Sequence, residues 1–69
     1  MSKDFEHKNF MTVKSLLTNR FEIELIQDRN GRYCIRYTNR GEEKYSEWIT
    51  DFLTASYLFD AKLQELEGQ

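Results

Sequence analysis

Side chains that could carry nucleophilic or metal chemistry are few in this sequence, which holds one cysteine, Cys34, and one histidine, His7. A catalytic Cys–His pair needs the two groups adjacent in space and a third group that orients the histidine, and nothing in their spacing brings them together. Cys34 alternates along a predicted strand and is expected to be a small buried residue. His7 lies in a charged segment and is expected to be solvated. The sequence predicts no metal site and no cofactor.

Carboxylates and hydroxyls give no stronger catalytic signal. Glu42 and Glu43 lie in a predicted turn beside Lys44, where solvation explains them better than acid–base chemistry. Ser46 and Ser56 have no nucleophile elbow around them, and the glycines form no phosphate-binding loop. The sequence therefore predicts a protein that is not an enzyme.

Basic residues suggest a second kind of chemistry. Arg32, Arg36 and Arg40 are spaced by four along one predicted strand, so their side chains point to the same face. With Tyr45 and Trp48 on the next strand, they could grip a nucleic-acid backbone and stack bases. The predicted register, however, places a carboxylate opposite each arginine, and a neutralised stripe releases few counterions. Weak nucleic-acid binding is therefore the alternative function, and nucleic acid is not the favoured partner.

The elements that position these residues begin with a β-hairpin. Two apolar rows alternate with polar residues and flank the turn signal Asp28-Arg29-Asn30-Gly31. A three-residue loop, 29–31, with Gly31 at positive φ in a G1 bulge, puts apolar opposite apolar and charge opposite charge. The predicted pairs are Ile23–Tyr37, Leu25–Ile35, Ile26–Cys34, Glu24–Arg36 and Asp28–Arg32.

A second hairpin follows around Gly41. A two-residue Gly41-Glu42 loop suits a type II′ turn, where glycine comes first. It predicts the pairs Arg40–Glu43, Arg36–Glu47 and Ile35–Trp48. The alternative three-residue loop would instead turn Tyr45 and Ile49 inward and Trp48 outward.

The C-terminal segment has the pattern of an amphipathic helix. Thr54 is the predicted N-cap with Asp51 as the alternative, and Gly68 marks the end. One side carries Ala55, Leu58, Phe59, Lys62, Leu63 and Leu66. We expect this side to cover a sheet row made of Phe21, Ile23, Leu25, Ile35, Tyr37 and Trp48.

The N-terminal segment allows two interpretations. As a strand, Thr12–Leu17 would pair with Arg20–Ile26 through a loop at 18–20, setting Leu17 against Phe21, Val13 against Leu25 and Lys14 against Glu24. As a helix, it would place Phe10, Val13 and Leu17 on one face. The fold class is therefore α+β, an antiparallel meander of three or four strands with a C-terminal helix on one face, ββββα in preference to αβββα. Residues 1–10 are expected to form a flexible extension and residues 11–69 one small domain.

Length and charge complete the expectations. A chain of 69 residues with one cysteine and a formal net charge of −2 has a small core and no internal disulfide, so self-association is a natural source of stability. Without an apolar run long enough for a membrane span or a signal-peptide pattern, we expect a cytoplasmic protein. Apolar residues away from the helix suggest a protein interface, a homodimer being the favoured form. The candidate interface residues are Ile26, Cys34, Tyr45 and Ile49.

Overall fold

A computed structural model describes residues 10–69, which form a four-stranded antiparallel sheet with one helix packed on one face. The strands are β1 (Phe10–Leu17), β2 (Phe21–Asp28), β3 (Tyr33–Asn39) and β4 (Glu42–Tyr45), and the helix is α1 (Phe52–Glu67). Strand order follows chain order, so the ββββα prediction is confirmed and αβββα is wrong. His7 and residues 1–9 of the predicted extension lie outside the described residues, whereas Phe10 begins β1.

The core lies between the sheet and α1, which rests over β2 and β3. Alternation along the two central strands turns one apolar row toward the helix, and most of the predicted helix stripe meets it, whereas Leu58 is exposed. The buried residues of this core are Phe21, Ile23, Leu25, Ile35, Ala55, Phe59 and Leu66, and Tyr33, Tyr37, Ile49 and Leu63 pack against them.

Asp51, the alternative in the sequence analysis, is the N-cap of α1, and the prediction of Thr54 is wrong. Asp51 Oδ2 accepts hydrogen bonds from the Thr54 backbone N–H and the Thr54 hydroxyl, both at 2.8 Å. A carboxylate accepts both bonds at once, which favours it as the cap. The same two bonds lower the pKa of Asp51. Gly68 ends the helix, and its N–H donates to the Gln64 carbonyl at 3.0 Å.

The first hairpin has the predicted register, including the pairs Glu24–Arg36 and Ile26–Cys34. Gly31 has φ +84°, as the bulged loop requires. Asp28 organises this loop, because its Oδ1 accepts the N–H groups of Asn30 and Arg32, both at 2.9 Å. Desolvation opposes ionisation of Asp28, but these bonds and the Arg32 guanidinium outweigh it and lower the pKa of Asp28.

The second hairpin differs from the prediction. Its turn is Arg40-Gly41, with φ of 58° and 85°, and Arg36 pairs with Tyr45 instead of Glu47. Arg40 is therefore a turn residue that does not pair with Glu43. Positive φ at both central residues defines a type I′ turn, whose twist matches that of the flanking strands. Glycine occupies its second position.

Trp48 and Ile49 lie on the sheet faces opposite to those predicted. β4 ends at Tyr45, and Ile49 then pairs with Tyr33 through two backbone hydrogen bonds of 2.7 Å. Ile49 packs against the helix-side core. Trp48 turns the other way, where it lies 5.9 Å from the Phe10 ring. The predicted pair Ile35–Trp48 is therefore wrong, since the chain leaves regular strand geometry before Trp48.

A β-bulge at Val13 changes the register of β1. The connection to β2 is a two-residue loop, because the Thr18 N–H donates to the Phe21 carbonyl at 2.9 Å. The predicted pairs Leu17–Phe21, Val13–Leu25 and Lys14–Glu24 are therefore wrong, and Lys14 lies opposite Leu25. Lys14 thus points to the helix side of the sheet.

Candidate functional site: the outer sheet face

The sheet face opposite α1, called the outer face below, holds a shallow groove. Strand alternation places its lining side chains on this face. The groove has a volume of about 90 Å³ and is lined by Phe10, Thr12, Glu24, Ile26, Arg36 and Tyr45. Strands β1, β2 and β3 contribute five of these residues, and β4 contributes Tyr45 at one edge of the groove.

The four candidate interface residues occupy different environments. Ile26 and Cys34 lie opposite each other on the outer face, as predicted, but are only 4% and 2% exposed. Tyr45 is 56% exposed on the same face. Ile49 packs on the helix side, so its predicted position on the outer face is wrong. Of the four, Tyr45 is exposed, and Ile26 is reached only through the groove that it lines.

Two aromatic residues that the sequence analysis did not assign to this interface complete the surface. Phe10 lines the groove, and Trp48, 42% exposed, packs on the Phe10 ring and under the Arg32 guanidinium, which lies 4.9 Å from the ring centroid. Phe10, Tyr45 and Trp48 are called the aromatic rim below. The alternative three-residue loop of the second hairpin also predicts an outward Trp48, but the observed turn has two residues, and Tyr45 faces outward as well.

Arg36 forms the charged centre of this face, since its guanidinium contacts three carboxylates. The distances are 2.8 Å from Nε to Glu24 Oε1, 3.2 Å to Glu22 Oε1 and 3.0 Å to Glu43 Oε2. Desolvation opposes the charge on Arg36, yet the carboxylate hydrogen bonds dominate and raise its pKa further above its ordinary value. The Tyr45 hydroxyl donates to Glu43 Oε2 at 3.1 Å, which links the rim to the network.

The predicted arginine stripe is only partly assembled. Arg32 and Arg36 share the outer face, but Arg32 is 2.8 Å from Asp28 and Arg36 is enclosed by carboxylates. Arg40 occupies the second turn and lines a cleft beside α1. Because both stripe arginines are neutralised, this geometry offers a polyanion little counterion release.

The larger cleft of about 410 Å³ lies between the second turn and the end of α1. Four of its charged side chains form two pairs, Lys62 with Glu65 at 2.8 Å and Lys44 with Glu42 at 3.7 Å, and Arg40 also lines the cleft. The Glu65 contact is the main cause of a raised pKa of Lys62. These pairs engage most of the charged groups that line the cleft.

Within residues 10–69, no three His, Cys, Asp or Glu side chains lie close enough to hold a metal ion. The one helix described there is too short and too polar to cross a membrane. Comparison of the chain with protein-family models, curated proteins and solved structures finds no match.

Proposed function

We propose that this chain is a non-catalytic protein-interaction or accessory module that binds another protein through its outer face and also self-associates. The observation that carries this proposal is the aromatic rim, which exposes apolar area on a sheet face that no helix among residues 10–69 covers. Exposed apolar patches rimmed by polar groups are typical of interaction sites.

The size of the groove favours a protein over a small molecule. Sites for small ligands usually have volumes of about 300–1,000 Å³, whereas this groove has about 90 Å³. A groove of this size takes one side chain of a partner. Tyrosine, tryptophan and arginine are also the residues that most often dominate binding energy at protein interfaces.

The charge network gives the surface its selectivity. Three carboxylates surround one guanidinium, so the network carries an excess of negative charge. A partner with a basic or hydroxyl-bearing side chain next to an apolar anchor would complement it. The proposal retains the cytoplasmic location expected from the sequence, where the buried thiol of Cys34 would remain reduced.

The test compares two variants as baits in affinity capture from native cells. Tyr45→Ser removes a 56% exposed ring from the rim, and the control Leu58→Ser removes a 39% exposed apolar side chain from α1. We expect specific proteins to be captured by the wild type and by Leu58→Ser and to be depleted at least tenfold with Tyr45→Ser. Equal capture by all three baits would contradict the proposal for the outer face.

A further inference from the structure

Exposed apolar side chains are also concentrated along β1, away from the aromatic rim. Because α1 lies over β2 and β3, it leaves β1 largely uncovered. Met11, Val13 and Leu16 are 61%, 38% and 37% exposed. Met11 and Leu16 pair with Gln27 and Ile23, and they therefore lie on the helix side of the sheet.

The flank of α1 that faces β1 is apolar as well. Lys14 Nζ donates to Ser56 Oγ at 3.0 Å and lies 3.9 Å from Asp60 Oδ1. Leu53 and Tyr57 precede these two residues by three positions and share their side of the helix. They are 75% and 71% exposed. Exposed apolar side chains therefore lie both on β1 and on α1, next to the contacts that Lys14 makes with Ser56 and Asp60. The flank surface is defined as Met11, Val13, Leu16, Leu53 and Tyr57.

The backbone of β1 offers hydrogen bonds along the same edge. Thr18 directs its N–H to β2, at the Phe21 carbonyl. In an antiparallel ladder this direction alternates, so Leu16 also faces β2, whereas Ser15 and Leu17 turn their N–H and C=O groups away from the sheet. Such groups accept a further strand.

The two edges of the sheet differ in how they are protected. β4 has four residues, three of them charged, which is the composition that discourages edge pairing. β1 has eight residues and carries four apolar side chains that are at least 37% exposed. Its charged residue, Lys14, is engaged by α1. The bulge at Val13 confines regular pairing to the segment 14–17.

We infer that a second copy of this chain joins the sheet along β1, with the two β1 strands antiparallel. Ser15 of each copy pairs with Leu17 of the other, and the two Leu16 side chains face each other at the twofold axis. This inference rests on the self-association in the proposed function and names its surface. A second copy fits because the segment 14–17 complements itself in this register: Ser15 and Leu17 of each copy present their outward N–H and C=O groups to each other, and the exposed Leu16 side chains meet between them. Lys14 is already paired with Asp60 of its own chain at 3.9 Å, so this segment carries no unpaired charge that would oppose the pairing.

The joined sheet would have eight strands and would carry both outer faces on the same side. Backbone pairing over 14–17 is short, so the interface belongs to the small, reversible class. We expect a dissociation constant on the order of micromolar.

Sedimentation equilibrium of the full chain from about 1 μM to 1 mM tests this inference. Ser15→Pro removes an outward N–H without removing a bond to β2, and Leu17→Lys places a charge on the edge. We expect each to weaken dimerisation at least tenfold. The control Leu58→Lys alters a leucine that is 39% exposed on the opposite flank of α1, and we expect it to dimerise like the wild type.

A cysteine placed on the axis provides a second measurement. Facing residues in a non-hydrogen-bonded pair have Cα atoms about 4.5 Å apart, within the range for a disulfide. Leu16→Cys should therefore form a covalent dimer on mild oxidation, whereas Leu58→Cys should not. Both variants retain the buried Cys34, which serves as an internal control. This measurement decides the question if Ser15→Pro fails to fold.

Each outcome separates the two proposals. Dimer loss in Leu17→Lys but not in Tyr45→Ser, with cross-linking at position 16, supports pairing along β1. A dimer that is lost in Tyr45→Ser and unchanged in Leu17→Lys overturns the β1 inference and leaves the proposed function standing. A wild-type chain that is monomeric up to about 1 mM overturns the β1 inference and self-association together, and leaves partner binding by the outer face to the capture experiment.

Discussion

Replacement of Arg36 by glutamine is the perturbation to which the outer face should respond most strongly. The side chain of Arg36 is 19% exposed and holds three carboxylates. Its bond to Glu24, which is equally shielded, should contribute about 1.5–3 kcal/mol. The pairs with Glu22 and Glu43 are 37% and 50% exposed at the carboxylate, so solvent screening reduces each to about 0.2–1 kcal/mol. We therefore expect Arg36→Gln to lower the free energy of unfolding by about 2–5 kcal/mol.

Urea denaturation followed by far-ultraviolet circular dichroism measures this loss, and a double-mutant cycle assigns it. The cycle combines Arg36→Gln with Glu24→Gln, and we expect a coupling energy of about 1–2 kcal/mol. The control is Lys44→Gln, which removes a cation 3.7 Å from Glu42 with both side chains more than half exposed. We expect that change to stay within about 0.5 kcal/mol.

A loss below about 0.5 kcal/mol for Arg36→Gln, or a coupling energy near zero, would refute the view that this network holds the outer face together. The network also affects tests of nucleic-acid binding. Arg36→Glu would place a fourth carboxylate among three and destabilise the sheet, so lost binding would not distinguish a lost contact from lost structure. Arg40→Glu, in an exposed turn, is the cleaner substitution.

Three further results follow from the turns, the caps and the buried thiol. Arg40→Asn should raise the unfolding free energy by about 1 kcal/mol and the melting temperature by about 4–8 °C, because asparagine tolerates positive φ better than arginine. Glu42→Asn should lower both quantities. The reverse pattern would indicate that the turn is Gly41-Glu42. The pKa values of Asp28 and Asp51 are lowered from 3.8 on folding, so their stabilisation is complete above about pH 4 and is lost as pH falls through the folded-state values. Urea midpoints measured on acidification should therefore decrease, and a constant or rising midpoint would contradict this reasoning. Cys34, 2% exposed, should react with a thiol reagent at least tenfold more slowly in the folded protein than in urea, and equal rates would show that the outer face opens.

The first hairpin could be predicted because independent signals agreed on one register. Gly31 in the loop, the apolar pair Leu25–Ile35 and the charge pair Glu24–Arg36 all required the same alignment. The orientation of Ile26 and Cys34 followed from it, since a one-residue shift would have reversed every side chain. The burial of Ile26 and Cys34 could not be predicted in this way. Strand alternation shows which face a side chain points to, but it does not show which other side chains cover it.

The second hairpin could not be predicted because Gly41 satisfies two turn types. It can lead a type II′ turn or come second in a type I′ turn, and the latter requires Arg40 at positive φ, which local propensity disfavours. Backbone twist and the route of the chain after Tyr45 decided the outcome. Trp48 and Ile49 then exchanged faces relative to the prediction, because strand alternation does not extend through an irregular segment.

The first strand was recognised, but its bulge was not. Glycine residues and charge pairs indicate turns and register. Valine is an ordinary strand residue, so the sequence does not indicate that Val13 is an extra residue in β1. The position of Lys14 over the Phe59 ring, 5.0 Å from its centroid, is a tertiary contact that sequence patterning does not contain. The exposed apolar flank of β1 was missed for the same reason, since it depends on where α1 rests.

The bulge also bears on how this chain could vary in length. Thr12 pairs with Ile26 and Lys14 pairs with Leu25, while Val13 has no cross-strand partner in β2. Deleting Val13 would thus close the ladder and leave every other cross-strand partnership of β1 in place. A codon lost at this position should be among the most readily tolerated in the sheet, whereas a codon lost within the continuous ladder of β2 and β3, which has no spare residue, would turn part of that strand to the opposite face.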